Sequence, residues 1–525
     1  MSLTNSLLQI EKREVSSRGN NLMDTQQAKD NLKRKIVLIH PMGECWVAGE
    51  KDVSRIANIM PPLGLCSLAA WVEQHGHQAF IHDCYAHPDD YEKIYDLVRT
   101  EQPEFVGFTA TTSAFLDGIR IAEKIKAIAP NTTIVCGGAH ISALRESLMK
   151  DYPVIDFGVV GEGENTLLYL MQQDLKGSEA PGPFEQHGLL YRQDGQVVFT
   201  GFLPRQEALD LDTLPFPAYE KLAGFPDAYN LPIFNYPKGP GTTIVSSRGC
   251  PYTCSYCDRT VFKSSFRYNS PEYMLKMLLH LKERYGIRHI NFYDDLFTLH
   301  KKRVVGFCNL MIERKTGVTF NCAVRAEHID LDLLKLMKKA GCWMISLGIE
   351  TGDPELLKLH RSNSDLDMIR NKVKLIKQAG IRTKGLFIMG LPGETEESID
   401  RTFNYALELP LDDLNLAKYT PFPGAPSYEG VREHGTFNED WELMNCVNFV
   451  FIPNGLTKER MEVRYKEFYY RHHQRFHILF DYFTMLWRSP NSWYRLLLNL
   501  KDFWRVRKSF IAGIRENTET ECSLG

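Results

Sequence analysis

The sequence predicts an α/β protein made of two successive runs of strand–helix units. The first is a doubly wound, Rossmann- or flavodoxin-like sheet, and the second is an open, partial barrel. Three observations carry this. Between Lys35 and Glu164, five apolar strand-like runs alternate with helical segments, the pattern of a parallel sheet wrapped by helices. From Thr242 to Tyr419 the alternation resumes for six more units, too few to close an eight-stranded barrel. Between the two runs, residues 176–235 are rich in Gly, Pro and Asp and read as a boundary.

The chain's 525 residues leave room for two to four domains. Hydrophobic content of 43%, charged content of 24% and a net charge of −3 are those of a soluble globular protein with no call on nucleic acid. Apart from one cluster, the cysteines are scattered (Cys45, Cys66, Cys84, Cys136, Cys308, Cys322, Cys342, Cys446, Cys522), which suits a reducing cytosol better than a disulfide framework. No apolar run approaches the ~20 residues of a membrane span, and the N-terminus has no secretory pattern. A cytoplasmic location is expected.

In order, residues 1–33 are polar and read as a loosely held tail. Residues 34–180 form the first domain. Its strands are Ile36 to His40, Ala79 to Asp83, Phe105 to Thr109, Thr133 to Gly138 and Phe157 to Val160, apolar throughout as strands buried on both faces are. The helix opening at Pro61-Pro62-Leu63-Gly64 places Leu65, Leu68, Ala69 and Val72 on one face and stops at Gly76. Ligands of such sheets bind at the carboxyl ends of the strands. The loops there are Thr109 to Ser113, Gly137 to His140 and Gly161 to Glu164. Residues 181–235 hold a hairpin with an Asp194-Gly195 turn, followed by a linker. Residues 236–455 form the second domain and residues 456–525 a helical tail.

The stretch after the first strand of the second run carries the chemistry. Ser246 to Asp258 contains Cys250, Cys254 and Cys257 at spacing C-x3-C-x2-C. A zinc knuckle would want a fourth ligand close by, and none is offered. Four-iron clusters normally take four thiolates. Three would leave one iron open, as a metal site that accepts a small molecule does.

This loop, with Tyr256 ahead of its last cysteine, resembles that of the radical S-adenosylmethionine (SAM) enzymes, whose open iron chelates SAM and whose reduced cluster cleaves it to a 5′-deoxyadenosyl radical. The six-unit series is similar to their partial TIM barrel. The resemblance implies that Cys250, Cys254 and Cys257 bind a 4Fe-4S cluster. It implies that Asp294 and Asp295 meet the SAM amino group, Arg325 its carboxylate and Glu350 its ribose, with Tyr256 and the Gly390-Leu391-Pro392-Gly393 loop completing the site. His289, His328 and His360 read as structural.

Placed before such a barrel, the first domain resembles the cobalamin-binding domain of one subgroup, through Pro61-Pro62-Leu63-Gly64, Gly137-Gly138-Ala139-His140 and Val160-Gly161-Glu162-Gly163-Glu164. Thr109, Thr111, Thr112, Ser113, Gly137, Gly138, His140, Gly161, Glu162 and Gly163 are then the expected cobalamin contacts. The D-x-H-x-x-G signature that supplies an axial histidine is absent, since Cys84, Tyr85 and Ala86 follow Asp83. The domain order is similar to that of class B radical SAM methyltransferases and of the anaerobic magnesium-protoporphyrin monomethyl ester cyclase.

Three functions stay open: methylation of an unactivated carbon, which leads; radical cyclisation or rearrangement; and a sensor without turnover. Flavodoxin or ferredoxin is the expected electron donor and a small molecule the expected substrate. Between Lys458 and Lys508 there are twelve Lys/Arg against five Asp/Glu, interleaved with Phe468, Tyr469, Trp487, Trp493, Tyr494, Phe503, Trp504 and Arg505. The plainer reading is helices packed on the barrel. The sharper one is peripheral contact with anionic lipid and a lipid or tetrapyrrole substrate.

Overall fold

The computed structural model describes residues 33–43, 58–88, 90–175, 183–361 and 363–500. Nearly all of the expected N-terminal tail, Cys45, Cys522, and Phe503, Trp504 and Arg505 of the C-terminal stretch lie outside those residues.

The first sheet has seven strands in the order β2-β1-β3-β4-β5-β6-β7: β1 (Lys35–His40), β2 (Gln78–Asp83), β3 (Phe105–Thr109), β4 (Thr133–Gly137), β5 (Phe157–Val159), β6 (Leu189–Gln193) and β7 (Gln196–Phe199). The first five are parallel. Alternate residues of β1 face opposite ways. Ile36 and Leu38 pack with Leu65, Ala69 and Val72 of α1 (Leu63–Gln74) and Leu167, Leu170 and Met171 of α6 (Glu164–Gln172). Val37 and Ile39 pack with Ile94 and Val98 of α2 (Tyr91–Glu101) and Ile119, Ala122 and Ile125 of α3 (Phe115–Ile128). Both faces are covered, which is why the strands read as unbroken apolar runs. Two short helices, α4 (Ala139–Leu144) and α5 (Glu146–Asp151), follow β4.

The hairpin expected in the connecting segment extends this sheet instead. β6 pairs antiparallel with β5, Val159 opposite Leu189 and Gly158 opposite Leu190. Leu189, Leu190 and Tyr191 are buried there, so burial of β6 sets its place. Its turn is as expected, with φ of +50° at Asp194 and +73° at Gly195.

The second sheet is wholly parallel, in the order β15-β14-β13-β12-β11-β8, with β8 (Gly241–Ile244), β11 (His289–Phe292), β12 (Thr319–Val324), β13 (Cys342–Glu350), β14 (Arg382–Met389) and β15 (Asp413–Lys418). A small ribbon, β9 (Ser247–Arg248) with β10 (Arg267–Tyr268), follows β8. The crossover helices are α7 (Pro271–Tyr285), α8 (Lys301–Glu313), α9 (Leu331–Ala340), α10 (Pro354–His360), α11 (Leu366–Gln378) and α12 (Glu396–Glu408). α7 starts as the sequence indicates, with Ser270 capping Tyr273 and Pro271 in the first turn. Between β13 and β14 the crossover is two helices. The chain leaves the helix at Arg361 (φ −140°), and Asp365 caps a new one at the Met368 N–H. One core joins sheet and helices, with Phe292, Phe297, Phe307 and Phe320 at its centre.

The C-terminal stretch forms α13 (Lys458–His473), α14 (Phe476–Arg488) and α15 (Pro490–Leu498). The sequence marks the break at Pro490, and a further one falls at Gln474-Arg475. Phe468 of α13 packs on Phe387 and Phe403, and Ser489 bonds to the Tyr236 carbonyl at 2.5 Å. The helices therefore do pack on the barrel, but α14 leaves Phe476 (83% exposed), Leu479, Phe480, Phe483 and Trp487 (62% exposed) in solvent. Among the described residues no helix is long and apolar enough to cross a membrane.

Candidate active site

The cluster loop leaves β8 and is held at its throat by Gly249. That residue has φ +88°, and a Cβ there would lie 1.8 Å from the Ser265 carbonyl oxygen, so only glycine fits. The Gly249 N–H donates to Asp295 Oδ2 at 3.0 Å. Tyr252 Oη meets His328 Nε2 at 2.7 Å, and Ser255 Oγ meets His360 Nδ1 at 2.7 Å. His360 Nε2 lies 2.8 Å from the Pro392 carbonyl, which can only accept. The proton is thus on Nε2, and Nδ1 accepts from Ser255. Two of the three histidines read as structural, His328 and His360, are the posts that pin the cysteine loop to the barrel rim.

Burial raises the Cys250 thiol and pushes Cys257 up to about 12, each also feeling the neighbouring thiols. The three cysteines thus share one partly buried patch. Among the described residues no group of three or more His, Cys, Asp or Glu side chains converges as ligands of one ion would. A polynuclear cluster does not ask for that, because each thiolate takes its own iron. The donor set fits a four-iron cluster held at three corners.

The residues expected around SAM divide. Arg325 is buried, with Nη1 3.6 Å from Cys254 Sγ, its guanidinium 3.8 Å over the Tyr252 ring and Nη2 3.0 Å from Glu327. Glu350 ends β13 with φ +69°, a conformation that costs a non-glycine residue energy and is commonest at functional sites. Its Oε1 accepts from Arg361 Nη1 at 2.9 Å. Burial raises its carboxyl against the pull of Arg361, with the half-buried Tyr256 phenol beside it. Gly390 (φ +94°) and Gly393 (φ +86°) bracket the loop whose Pro392 carbonyl His360 holds. Below that loop Glu394 accepts from the Gly390 N–H, and burial pushes its carboxyl up to about 8.

Asp294 is a correction. Its carboxylate faces inward, accepting from Ser246 N (2.6 Å), Ser246 Oγ and Ser247 Oγ (both 2.7 Å) and pairing with Arg303 at 3.1 Å. With no side-chain exposure, it anchors the start of the cluster loop. Adjacent residues at a strand end point opposite ways, so only Asp295 is left for the site.

At the carboxyl ends of the first sheet lies a cavity of about 330 Å³, within the range of small-molecule sites. Thr109, Gly137, Gly138, Gly161, Glu162 and Gly163 line it, as expected, with Gly64 and Leu68 of α1. A Cβ on Gly64 would meet nothing within 4 Å, and one on Gly137 only Val159 at 3.9 Å. Both glycines therefore keep the slot open, and a flat macrocycle or nucleotide fits such an apolar, glycine-walled space. The opposite wall is the barrel domain: Arg248, Val261, Phe262, Tyr293 and Asp295.

Thr111, Thr112, Ser113 and His140, also expected here, do not line the cavity. His140 is 1% exposed, boxed by the rings of Phe115 at 4.7 Å and Trp441 at 4.5 Å, with Nδ1 3.2 Å from Thr112 Oγ1. Burial brings its pKa down to about 3. Its aromatic cage comes from distant parts of the chain, which its glycine neighbours do not betray. Glu162 does line the cavity, but its carboxylate is paired with Arg248 (2.5 Å) and Arg267. Glu164 is paired with Arg248 at 2.6 Å and accepts from Ser67 at 3.0 Å. Burial alone would raise the Glu164 carboxyl, and Arg248 brings it below its ordinary value.

Sequence reasoning missed Arg248, Arg267, Tyr293, Arg361 and Glu394. For Arg248, the signal was its place two residues ahead of Cys250. For Tyr293 it was the strand end beside Asp295.

Comparison with known proteins agrees with this geometry. Residues 244–406 match the Radical SAM superfamily and residues 50–170 the B12 binding domain. The chain is 30% identical over 432 residues to an uncharacterized methyltransferase of Pyrococcus horikoshii, covering 81% of this chain and 90% of that protein. It is 29% identical to the anaerobic magnesium-protoporphyrin IX monomethyl ester cyclase of Rubrivivax gelatinosus, covering 83% of this chain and 77% of that one. The radical SAM methyltransferase TsrM of Kitasatospora setae, solved with cobalamin and a [4Fe-4S] cluster, shares the fold with a TM-score of 0.60 at 19% identity, over 77% of this chain and 78% of that one. The chain therefore belongs to the radical SAM enzymes that carry a cobalamin-binding domain, and its cofactors are a 4Fe-4S cluster, S-adenosylmethionine and cobalamin.

Proposed function

We propose that this enzyme methylates an unactivated carbon of a hydrophobic small molecule. The observation that carries this reading is that a single cavity has Gly137 and Gly161 of one domain on one side and Asp295 and Tyr293 of the other opposite. When bound, the cluster with SAM would supply a carbon radical, and cobalamin a methyl carrier. The chain's own work is to hold and exclude. Cys250, Cys254 and Cys257 bind three irons. Asp295 offers a carboxylate to the SAM ammonium, Arg325 a guanidinium to its carboxylate, and Glu350 an acceptor to its ribose. Gly390, Pro392 and Gly393 present backbone to the adenine, with Tyr256 packed behind Glu350. Gly137, Gly138, Gly161 and Gly163 give backbone approach to cobalamin. Tyr293 lines the same cavity as Asp295 and offers its ring to the substrate.

Reconstituted enzyme given SAM and a strong reductant should form both 5′-deoxyadenosine and S-adenosylhomocysteine. Consumption of substrate with deoxyadenosine alone would favour the second reading, radical cyclisation, which the likeness to the cyclase of Rubrivivax gelatinosus supports. Formation of neither would leave a sensor.

Flavodoxin or ferredoxin is the electron donor of this reading. The exposed apolar stripe of α14 and the basic surplus of the same stretch support peripheral contact with anionic lipid and a lipid or tetrapyrrole substrate. Flotation with anionic vesicles checks the contact, and failure to float would remove it.

A further inference from the structure

Both stems of the cluster loop carry an arginine. Arg248 sits on β9 and Arg267 directly opposite on β10. Like charges facing each other across a ribbon repel. Here two carboxylates from the first domain absorb the repulsion. Glu162 takes one arginine on each oxygen, Arg248 at 2.5 Å and Arg267 on the other side, while Glu164 takes Arg248 at 2.6 Å. The four side chains carry two positive and two negative charges, and none is more than 17% exposed. Each end is braced in turn. Ser67 of α1 donates to Glu164 at 3.0 Å, and Arg267 donates to the Leu209 carbonyl at 2.6 Å.

We infer that Arg248, with Arg267, is a positioning clamp that sets the distance between the cluster loop and the cobalamin cavity. This rests on the two-cofactor site described above and assigns the parts that hold its halves in register. Nearly buried ion pairs add little net stability over apolar packing, but they can fix one arrangement. Arrangement is what this site needs. A radical source and a methyl carrier have to face one carbon, and an error of about 1 Å can cost on the order of a hundredfold in rate. Glu162 lines the cavity and bonds to both stems of the loop, so the carboxylate read from sequence as a cobalamin contact acts as the hinge pin between the halves.

The test uses the enzyme loaded with cluster and cobalamin, as wild type, as Arg248→Gln, and as Arg248→Gln with Glu164→Gln, the last leaving no stranded carboxylate. Cobalamin in its paramagnetic cobalt(II) form relaxes faster beside a reduced cluster, so its electron spin relaxation reports their separation without turnover. Both variants should retain cluster and cobalamin at wild-type stoichiometry, lose most of this relaxation enhancement, and shift the ratio of 5′-deoxyadenosine to S-adenosylhomocysteine by about tenfold or more. Unchanged relaxation and an unchanged product ratio, whatever happens to Tm, would overturn the clamp. So would loss of a cofactor from the double variant, since the arginine would then hold the cofactor or the fold and not a distance. Wild type that forms no S-adenosylhomocysteine would remove the methyl-transfer reading, and the relaxation measurement would still decide the clamp.

Discussion

Around the cavity proposed for cobalamin the first domain presents mainly backbone and alkyl surface, with Gly64, Gly137, Gly161 and Gly163 beside Leu68. Around the cluster loop the chain presents side chains, each tied to a partner: Asp295 to the Gly249 N–H, His328 to Tyr252, His360 to Ser255, Arg361 to Glu350. The first site is a shape and the second is a lattice of hydrogen bonds. A shape should fail when filled and ignore the loss of nearby polar groups. A lattice should fail when any post is cut.

The most damaging change falls on the lattice and adds only a methyl group. Gly249→Ala puts a Cβ 1.8 Å from the Ser265 carbonyl oxygen at φ +88°, so the loop cannot close. Iron and sulfide analysis should find the protein without its cluster, and deoxyadenosine formation should vanish, as it should in Cys254→Ala. A clustered, active Gly249→Ala would mean that the throat opens freely.

Filling the shape comes next. A Cβ at Gly137 would meet only Val159, at 3.9 Å, so Gly137→Leu should leave the domain folded while its slot is occupied. Overpacking of this kind costs about 1–3 kcal/mol, so cobalamin affinity should fall roughly tenfold to a hundredfold. Formation of deoxyadenosine should persist. If both activities were lost together, the two sites could not be as separate as their construction indicates.

Glu394 tests the lattice through pH. Its carboxyl is raised from 4.5 to about 8 by burial, so the folded chain keeps a proton that the unfolded chain has released. The stability this contributes is complete below about pH 4.5 and is lost as pH rises through about 8. The whole effect is on the order of a few kcal/mol. Glu394→Gln should therefore raise Tm relative to wild type at pH 8.5 by a few degrees and much less at pH 5.5. Equal shifts at both values would show that the carboxyl does not titrate there.

The same contrast explains what was legible in the sequence. The strand runs and the glycine stop at Gly76 follow from local pattern, and the structure keeps them. The hairpin was seen with its turn but assigned to the connecting segment, because pairing to β5 is a long-range choice made by burial of Leu189 and Leu190. In the barrel, strand-end residues were legible because a short loop fixes where they are. Even so, pattern could not separate Asp294 from Asp295, which differ only in the side of the chain they leave. Around cobalamin, polarity misled. Thr112 and His140 look like ligand contacts but bond to each other away from the cavity, whereas Gly64, Gly137 and Gly161 of its wall have no side chain to read.

His140→Phe is the smallest change and bears most directly on that last point. The ring sits between Phe115 and Trp441 and has one hydrogen bond, at 3.2 Å to Thr112 Oγ1, while Nε2 is buried without a partner. A buried polar atom left unpaired is a cost, and phenylalanine removes it while keeping the ring in its cage. Losing the bond to Thr112 offsets part of that gain, so stability should change by no more than about 1 kcal/mol. Cobalamin affinity should stay within about twofold of wild type, since the side chain does not reach the slot. Titration of the apoprotein with hydroxocobalamin, followed by its absorption, measures this. A tenfold loss would return His140 to the cofactor and make the cobalamin site, like the cluster site, one that depends on its polar groups.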